Sequence, residues 1–208
     1  MSFFSKGLAA VAALTLIGAT YLGATSLAVA ADPPKHVRGT VVSVKPGAAS
    51  VKTATGKTTE IAIGDKTLFF STTAADMTAI TPNRFVGVTS VEKDGKQVAR
   101  EVHVFDESLR GLAEGHYPWD LGDSPNSMTN ANIGKVETVG DNRVLKLDYK
   151  GGTQSIDVPP TAQIVLFQTA AKDSLKAGDK VFVIAAPADG RLNAIAFVIG
   201  ANGQTPPM

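Results

Sequence analysis

The sequence predicts an all-β protein: two small closed β-barrel repeats joined by a long central segment, with an export signal in front. Three observations carry that expectation. Short β-branched runs alternate with tight-turn signals along most of the chain. Residues 36–104 and 133–200 resemble each other, the mark of an internal repeat. Between them, 105–132 is chemically unlike either, holding the only tryptophan and five acids against the single cation Arg110.

Residues 1–30 have the layout of a secretory signal. Lys6 supplies a basic start, Gly7 to Leu27 carries no charge, and Ala28-Val29-Ala30 gives the small-x-small pattern of a cleavage site. The same run is long enough to span a bilayer, so an uncleaved anchor is the competing reading. After residue 31 nothing approaches the ~20 consecutive apolar residues of a further span. A periplasmic location, with no membrane span after signal removal, follows as the expectation. There is no cysteine, which rules out a disulfide framework and a thiolate metal site. With 20 Lys+Arg against 19 Asp+Glu, there is no electrostatic case for nucleic acid or an anionic membrane as partner.

Superposing the chain on itself at a constant offset sets Gly39-Thr40-Val41 on Gly134-Lys135-Val136, Ile61 on Ile156, Val86 and Val88 on Val181 and Val183, and Asp94-Gly95 on Asp189-Gly190. Turn glycines and alternating apolar residues match together, which points to a duplication. In the first copy, strands are expected over 37–44, 51–63, 66–71, 85–88 and 98–104, with turns at Pro46-Gly47, Thr55-Gly56 and Asp94-Gly95. In the second they are expected over 133–139, 144–149, 154–158, 163–167, 180–185 and 192–199. One helical turn interrupts each copy, at Thr73 to Asp76, where a threonine stands three residues before an acid, and at Thr169 to Leu175, whose chemistry is similar. Five or six short strands per copy suit an OB-like or SH3-like barrel, whose closure removes exposed edges. Residues 201–208, rich in Gly and Pro, are expected to form a flexible tail.

The central segment, 105–132, contains the candidate site. His116, Asp120, Asp123 and Glu114 combine imidazole with carboxylates and could take a divalent metal ion. No spacing among them matches a known ligand code. The alternative is a structural plug, in which Tyr117, Trp119, Met128 and Asn130 pack against a barrel or touch a ligand. Alternation sets His103 opposite Val102 and Val104, either facing solvent or turned toward the central segment, and a surface histidine is the expectation. His36 reads as exposed.

The run Leu175-Lys176-Ala177-Gly178-Asp179-Lys180-Val181, followed by Asp189-Gly190-Arg191-Leu192, resembles a family of small exported bacterial β-domains of unknown function, often found in tandem. Glu114-Gly115-His116-Tyr117-Pro118-Trp119-Asp120-Leu121 with Met128-Thr129-Asn130 is similar to a subset sometimes labelled metal ABC transporter permease. A permease needs several spans, which the mature sequence lacks, so the resemblance implies metal handling at most. Gly122-Asp123-Ser124 lacks the strand–turn–helix context of a nucleophile elbow, and Gly56-Lys57-Thr58 lacks the earlier glycine of a phosphate loop. The expected function is therefore non-catalytic: binding or scaffolding with a protein or small-ligand partner in the cell envelope. The alternative is metal-ion binding or transport assistance through His116 and its neighbouring carboxylates.

Overall fold

The structure, a computed structural model, describes residues 32–122, 125–188 and 190–208; the stretch read as a signal and the candidate ligand Asp123 lie outside them. In chain order the described strands are β1 (Lys35–Lys45), β2 (Ala48–Thr53), β3 (Thr58–Ala62), β4 (Leu68–Ala75), β5 (Phe85–Lys93), β6 (Lys96–Phe105), β7 (Gly115–Trp119), β8 (Asn126–Val139), β9 (Asn142–Tyr149), β10 (Gly152–Val158), β11 (Gln163–Thr169), β12 (Lys180–Ala188) and β13 (Arg191–Gly200). Helical geometry among the described residues is limited to short 3-10 turns, and no helix is long and apolar enough to cross a membrane.

Strands β5, β6, β8, β9 and β10 close into a five-stranded barrel. Antiparallel pairing runs β6–β5–β8–β9–β10, and β10 returns to β6 in parallel through Ile156↔Gln97 and Asp157↔Val98. The strands β13–β12–β1–β2–β3 follow the same order of pairings, with β3 meeting β13 in parallel at Ile61↔Leu192 and Ala62↔Asn193. Between them, β4 and β11 pair antiparallel with each other and parallel with β13 and β6.

Each ring of pairings therefore takes three strands from one of the two expected repeats and two from the other: β8, β9 and β10 with β5 and β6, and β1, β2 and β3 with β12 and β13. That corrects the expectation of one barrel from 36–104 and another from 133–200. The reason lies in β4. It does not turn back onto β3 but runs on between β13 and β11. At roughly 3.3 Å per residue its extended backbone carries the chain away from β3 before the β5–β6 hairpin begins. Alternation fixes which face a residue takes, not which neighbour its strand meets.

The packing follows these rings. Val41, Val51, Ile61, Val183 and Phe197 form one core; Val88, Val104, Ile133, Leu147 and Ile156 form a second. A third, aromatic cluster lies outside both, on the face shared by the bridging strands: Phe70, Phe105, Phe167 and Phe182 with Val198 and Met208. Adjacent residues divide between cores, Phe69 stacking on Phe197 at 5.6 Å while Phe70 faces Phe167 at 5.0 Å. Strand alternation at the junction thus feeds two cores from one strand.

Three local expectations are corrected. Thr73 to Ala75 finish β4, and the helical turn follows at Met77–Ala79, capped by Asp76, whose carboxylate accepts the Thr78 N–H at 2.8 Å. The central segment is not a bare connector, since β7 and the first half of β8 lie in it. There β8 pairs β5 on one side and β7 on the other. Polar residues such as Asn126 and Asn130 hid this strand, because its burial comes from its cover rather than from its pattern. Finally, the stretch read as a flexible tail is docked: Pro206 and Met208 are buried, and Arg38 Nε donates to the Met208 carbonyl.

Candidate functional site

Strand β7 curls over the face of the aromatic cluster. Alternation turns Tyr117 and Trp119 toward that face and leaves His116 and Pro118 outward. Below β7, β8 presents Met128 and Asn130 to the same space. The walls are Phe70, Phe105, Phe167 and Phe182, and the result is a cleft of about 240 Å³. Tyr117, Trp119, Met128 and Asn130, singled out in the sequence, all line it.

Two side chains hold this cover in place. Asn130 Nδ2 donates to the carbonyls of Leu112 and Ala113 and to Tyr117 Oη, at 3.2, 3.1 and 3.1 Å. Its Oδ1 lies where a side chain at Gly87 would begin, 2.6 Å from an ideal Cβ, so β5 must carry glycine there. Beyond β7, Asp120 accepts from His36 Nδ1 and from Arg38 Nη2, each at 2.7 Å. Burial pulls the Asp120 carboxyl upward, but the hydrogen bonds from Arg38 and His36 outweigh it and hold the group below the usual carboxylate range. His36, expected to be exposed, is instead half-buried, its ring 4.6 Å from Trp119 and 5.1 Å from Phe182.

Beneath the cleft lies a polar cluster that sequence reasoning missed. His103 was read as a surface residue, yet it is 2% exposed, with Glu101 beside it at 1%. On β6, Val102 and Val104 face the barrel while Glu101, His103 and Phe105 face the covered side, so both faces of the strand are buried. Burial pushes Glu101 up to about 8, against the lowering effect of a hydrogen bond from Thr89 Oγ1 at 2.6 Å. Burial pushes His103 down to about 4, opposed by a backbone hydrogen bond to Pro207. Both groups are neutral near pH 7, so the 3.5 Å approach of His103 Nε2 to Glu101 Oε1 is a contact of neutral groups rather than an ion pair. His103 Nε2, Glu101 Oε2, Asn130 Oδ1 and Trp119 Nε1 are buried without a hydrogen-bond partner. Only the unusual run Glu-x-His between valines could have flagged this cluster.

Among the described residues, the proposed metal donors His116, Glu114 and Asp120 are not brought together. His116 Nδ1 pairs with Thr129 Oγ1 at 2.8 Å and its ring lies over Tyr149; Glu114 accepts the Lys150 N–H at 3.0 Å; Asp120 is engaged by His36 and Arg38. Among the described residues no three His, Asp or Glu side chains form a metal-ligand group. The cause is the strand itself: alternation sends His116 outward, while Asp120 lies past the end of β7 and closes against β1.

No protein family, curated protein or solved structure matches the chain.

Proposed function

We propose that this is a non-catalytic binding protein, exported to the periplasm, that holds an apolar group in the cleft under β7. The cleft's lining carries the reading. Four phenylalanines, a tryptophan, a tyrosine and two thioethers offer apolar surface with a few buried polar atoms at its edges, the usual composition of a ligand pocket. At about 240 Å³ the space suits one ring or one long side chain rather than a large cofactor.

The same reading takes the chain as two OB-like repeats that have exchanged their last two strands. In support, the paired elements keep the offset seen in the sequence: β5 begins at Phe85 and β12 at Lys180, β6 at Lys96 and β13 at Arg191, and the 3-10 turns at Met77 and Lys172. OB barrels commonly serve as binding scaffolds, though the fold alone does not choose a ligand.

Trp119 is the only tryptophan, so its fluorescence reports on the cleft directly. Titration with the neutral probe N-phenyl-1-naphthylamine is expected to give saturable energy transfer from Trp119. Ala196→Leu, which fills the cleft from β13, is expected to abolish it. Linear, non-saturating transfer in the unaltered protein would sink the proposal.

A further inference from the structure

Residues Gln204-Thr205-Pro206-Pro207-Met208 cross the sheet face beside the cleft, in a seat with four parts. Gln204 Oε1 accepts the backbone N–H of Ala74 at 3.0 Å. Arg38 Nε donates to the main-chain oxygen of Met208. The Met208 side chain is 6% exposed, within the aromatic cluster and against the cleft. The fourth part is an absence of bulk on β13. An ideal Cβ on Gly200 would stand 1.8 Å from the Gln204 carbonyl oxygen and 3.1 Å from Pro206 Cδ.

Consecutive prolines favour an extended conformation and donate no N–H, so their carbonyls and side chains are what a protein can recognise. A guanidinium donor to the main chain, a hole for one long unbranched side chain and a bare glycine under the crossing make a peptide seat. Arg38 also holds Asp120, so one guanidinium ties both this segment and the end of β7 over the cleft.

We infer that this groove is a peptide-binding site which the chain fills in cis, and that its ligand class is a prolyl segment bearing a long apolar side chain, the chemistry of 204–208. The inference rests on the reading of the cleft as a ligand site and gives that ligand a class. A segment tethered in cis competes at an effective concentration in the millimolar range. An external peptide therefore binds with an affinity reduced by the fraction of molecules whose seat is open.

The test uses the full chain and the synthetic peptide Gln-Thr-Pro-Pro-Met, followed by calorimetry and Trp119 fluorescence. Met208→Lys, and separately deletion of 204–208, empty the seat by different routes, and each is expected to bind the peptide at least about tenfold more tightly than the unaltered protein. Gly200→Val added to either is expected to abolish binding; its φ of −75° is open to valine, so only the crossing is blocked. A peptide ending in lysine instead of methionine is expected not to bind. Failure of both emptied variants to bind, or binding that survives Gly200→Val, overturns the inference. Naphthylamine binding without peptide binding overturns it alone, whereas loss of both overturns the cleft reading too.

Discussion

Strands β6 and β13 hold the same place in their two rings of pairing, and they differ on one face only. Each is the second strand of a hairpin, pairs in parallel with a strand closing its ring, and borders a bridging strand. Their inward residues are interchangeable in kind: Val102 and Val104 on β6, Phe197 and Ile199 on β13. Their outward residues are not. β6 carries Glu101, His103 and Phe105, where β13 carries Ala196, Val198 and Gly200. Ring closure dictates the first set, since an interior position must be filled by an apolar side chain at near-crystalline density. Nothing in closure dictates the second. There β6 accepts two neutral, incompletely bonded ionisable groups, a costly choice for stability, and β13 gives up bulk altogether to let residues 204–208 pass. The outward faces are where this molecule spends its freedom on a site.

The largest effect tests the inward equivalence. Phe197→Ala and Leu147→Ala each empty one ring, and each is expected to cost about 3–4 kcal/mol. Because β4 and β11 join the two rings in one continuous sheet, both variants are expected to melt in one calorimetric transition, with calorimetric and van't Hoff enthalpies equal. Two resolved transitions would show that the rings are independent units.

Next comes the outward difference, read through pH. Glu101 is raised from 4.5 to about 8 in the folded protein. The folded state binds that proton more tightly, so its contribution is fully present below pH 4.5 and is lost as pH rises toward 8. His103 is lowered from 6.5 to about 4, so its contribution is present above pH 6.5 and is lost as pH falls toward 4. In urea unfolding, Glu101→Gln is expected to flatten the alkaline loss, gaining about 2 kcal/mol at pH 8. His103→Val, which gives β6 the residue that β13 carries, is expected to flatten the acid loss. An unchanged alkaline slope in Glu101→Gln would mean that Glu101 is ionised in the folded protein.

A smaller change separates the cover from what it covers. Asp120 is more than half exposed, so Asp120→Asn is expected to cost at most about 1 kcal/mol. It is nonetheless expected to shift Trp119 emission to the red, as β7 loosens from His36 and Arg38. Emission that stays put would show that packing alone seats β7. No larger an effect is expected at His116, whose ring faces outward but partners the buried Thr129 hydroxyl: His116→Ala should cost about 1 kcal/mol. Its melting temperature in zinc, copper or nickel should match that of the unaltered protein. An ion-specific rise lost in the variant would restore the metal alternative.

The strands, their turns and the inward residues were legible because period-2 alternation and turn chemistry are local: Val86 and Val88, Leu145 and Leu147, and the Asp94-Gly95 turn all announce themselves. The chemical singularity of 105–132 was legible too, and with it Tyr117, Trp119, Met128 and Asn130. His116 and Asp120 misled, because proximity in sequence along a strand is not convergence in space. His103 misled in the opposite sense. Its position opposite the valines was right, but a face opposite one core can be covered by another, as Phe105 and Phe167 cover it here.

By itself, then, the sequence determined an all-β chain without cysteine and the faces of most of its strands, since each depends on neighbours a few positions away. Only the tertiary structure decided which strands close which ring, that Glu101 and His103 are buried as neutral groups, and that residues 204–208 lie in a seat over Gly200. Those outcomes depend on pairing between strands far apart in the chain, and a side chain's burial or charge state is a property of what is laid over it.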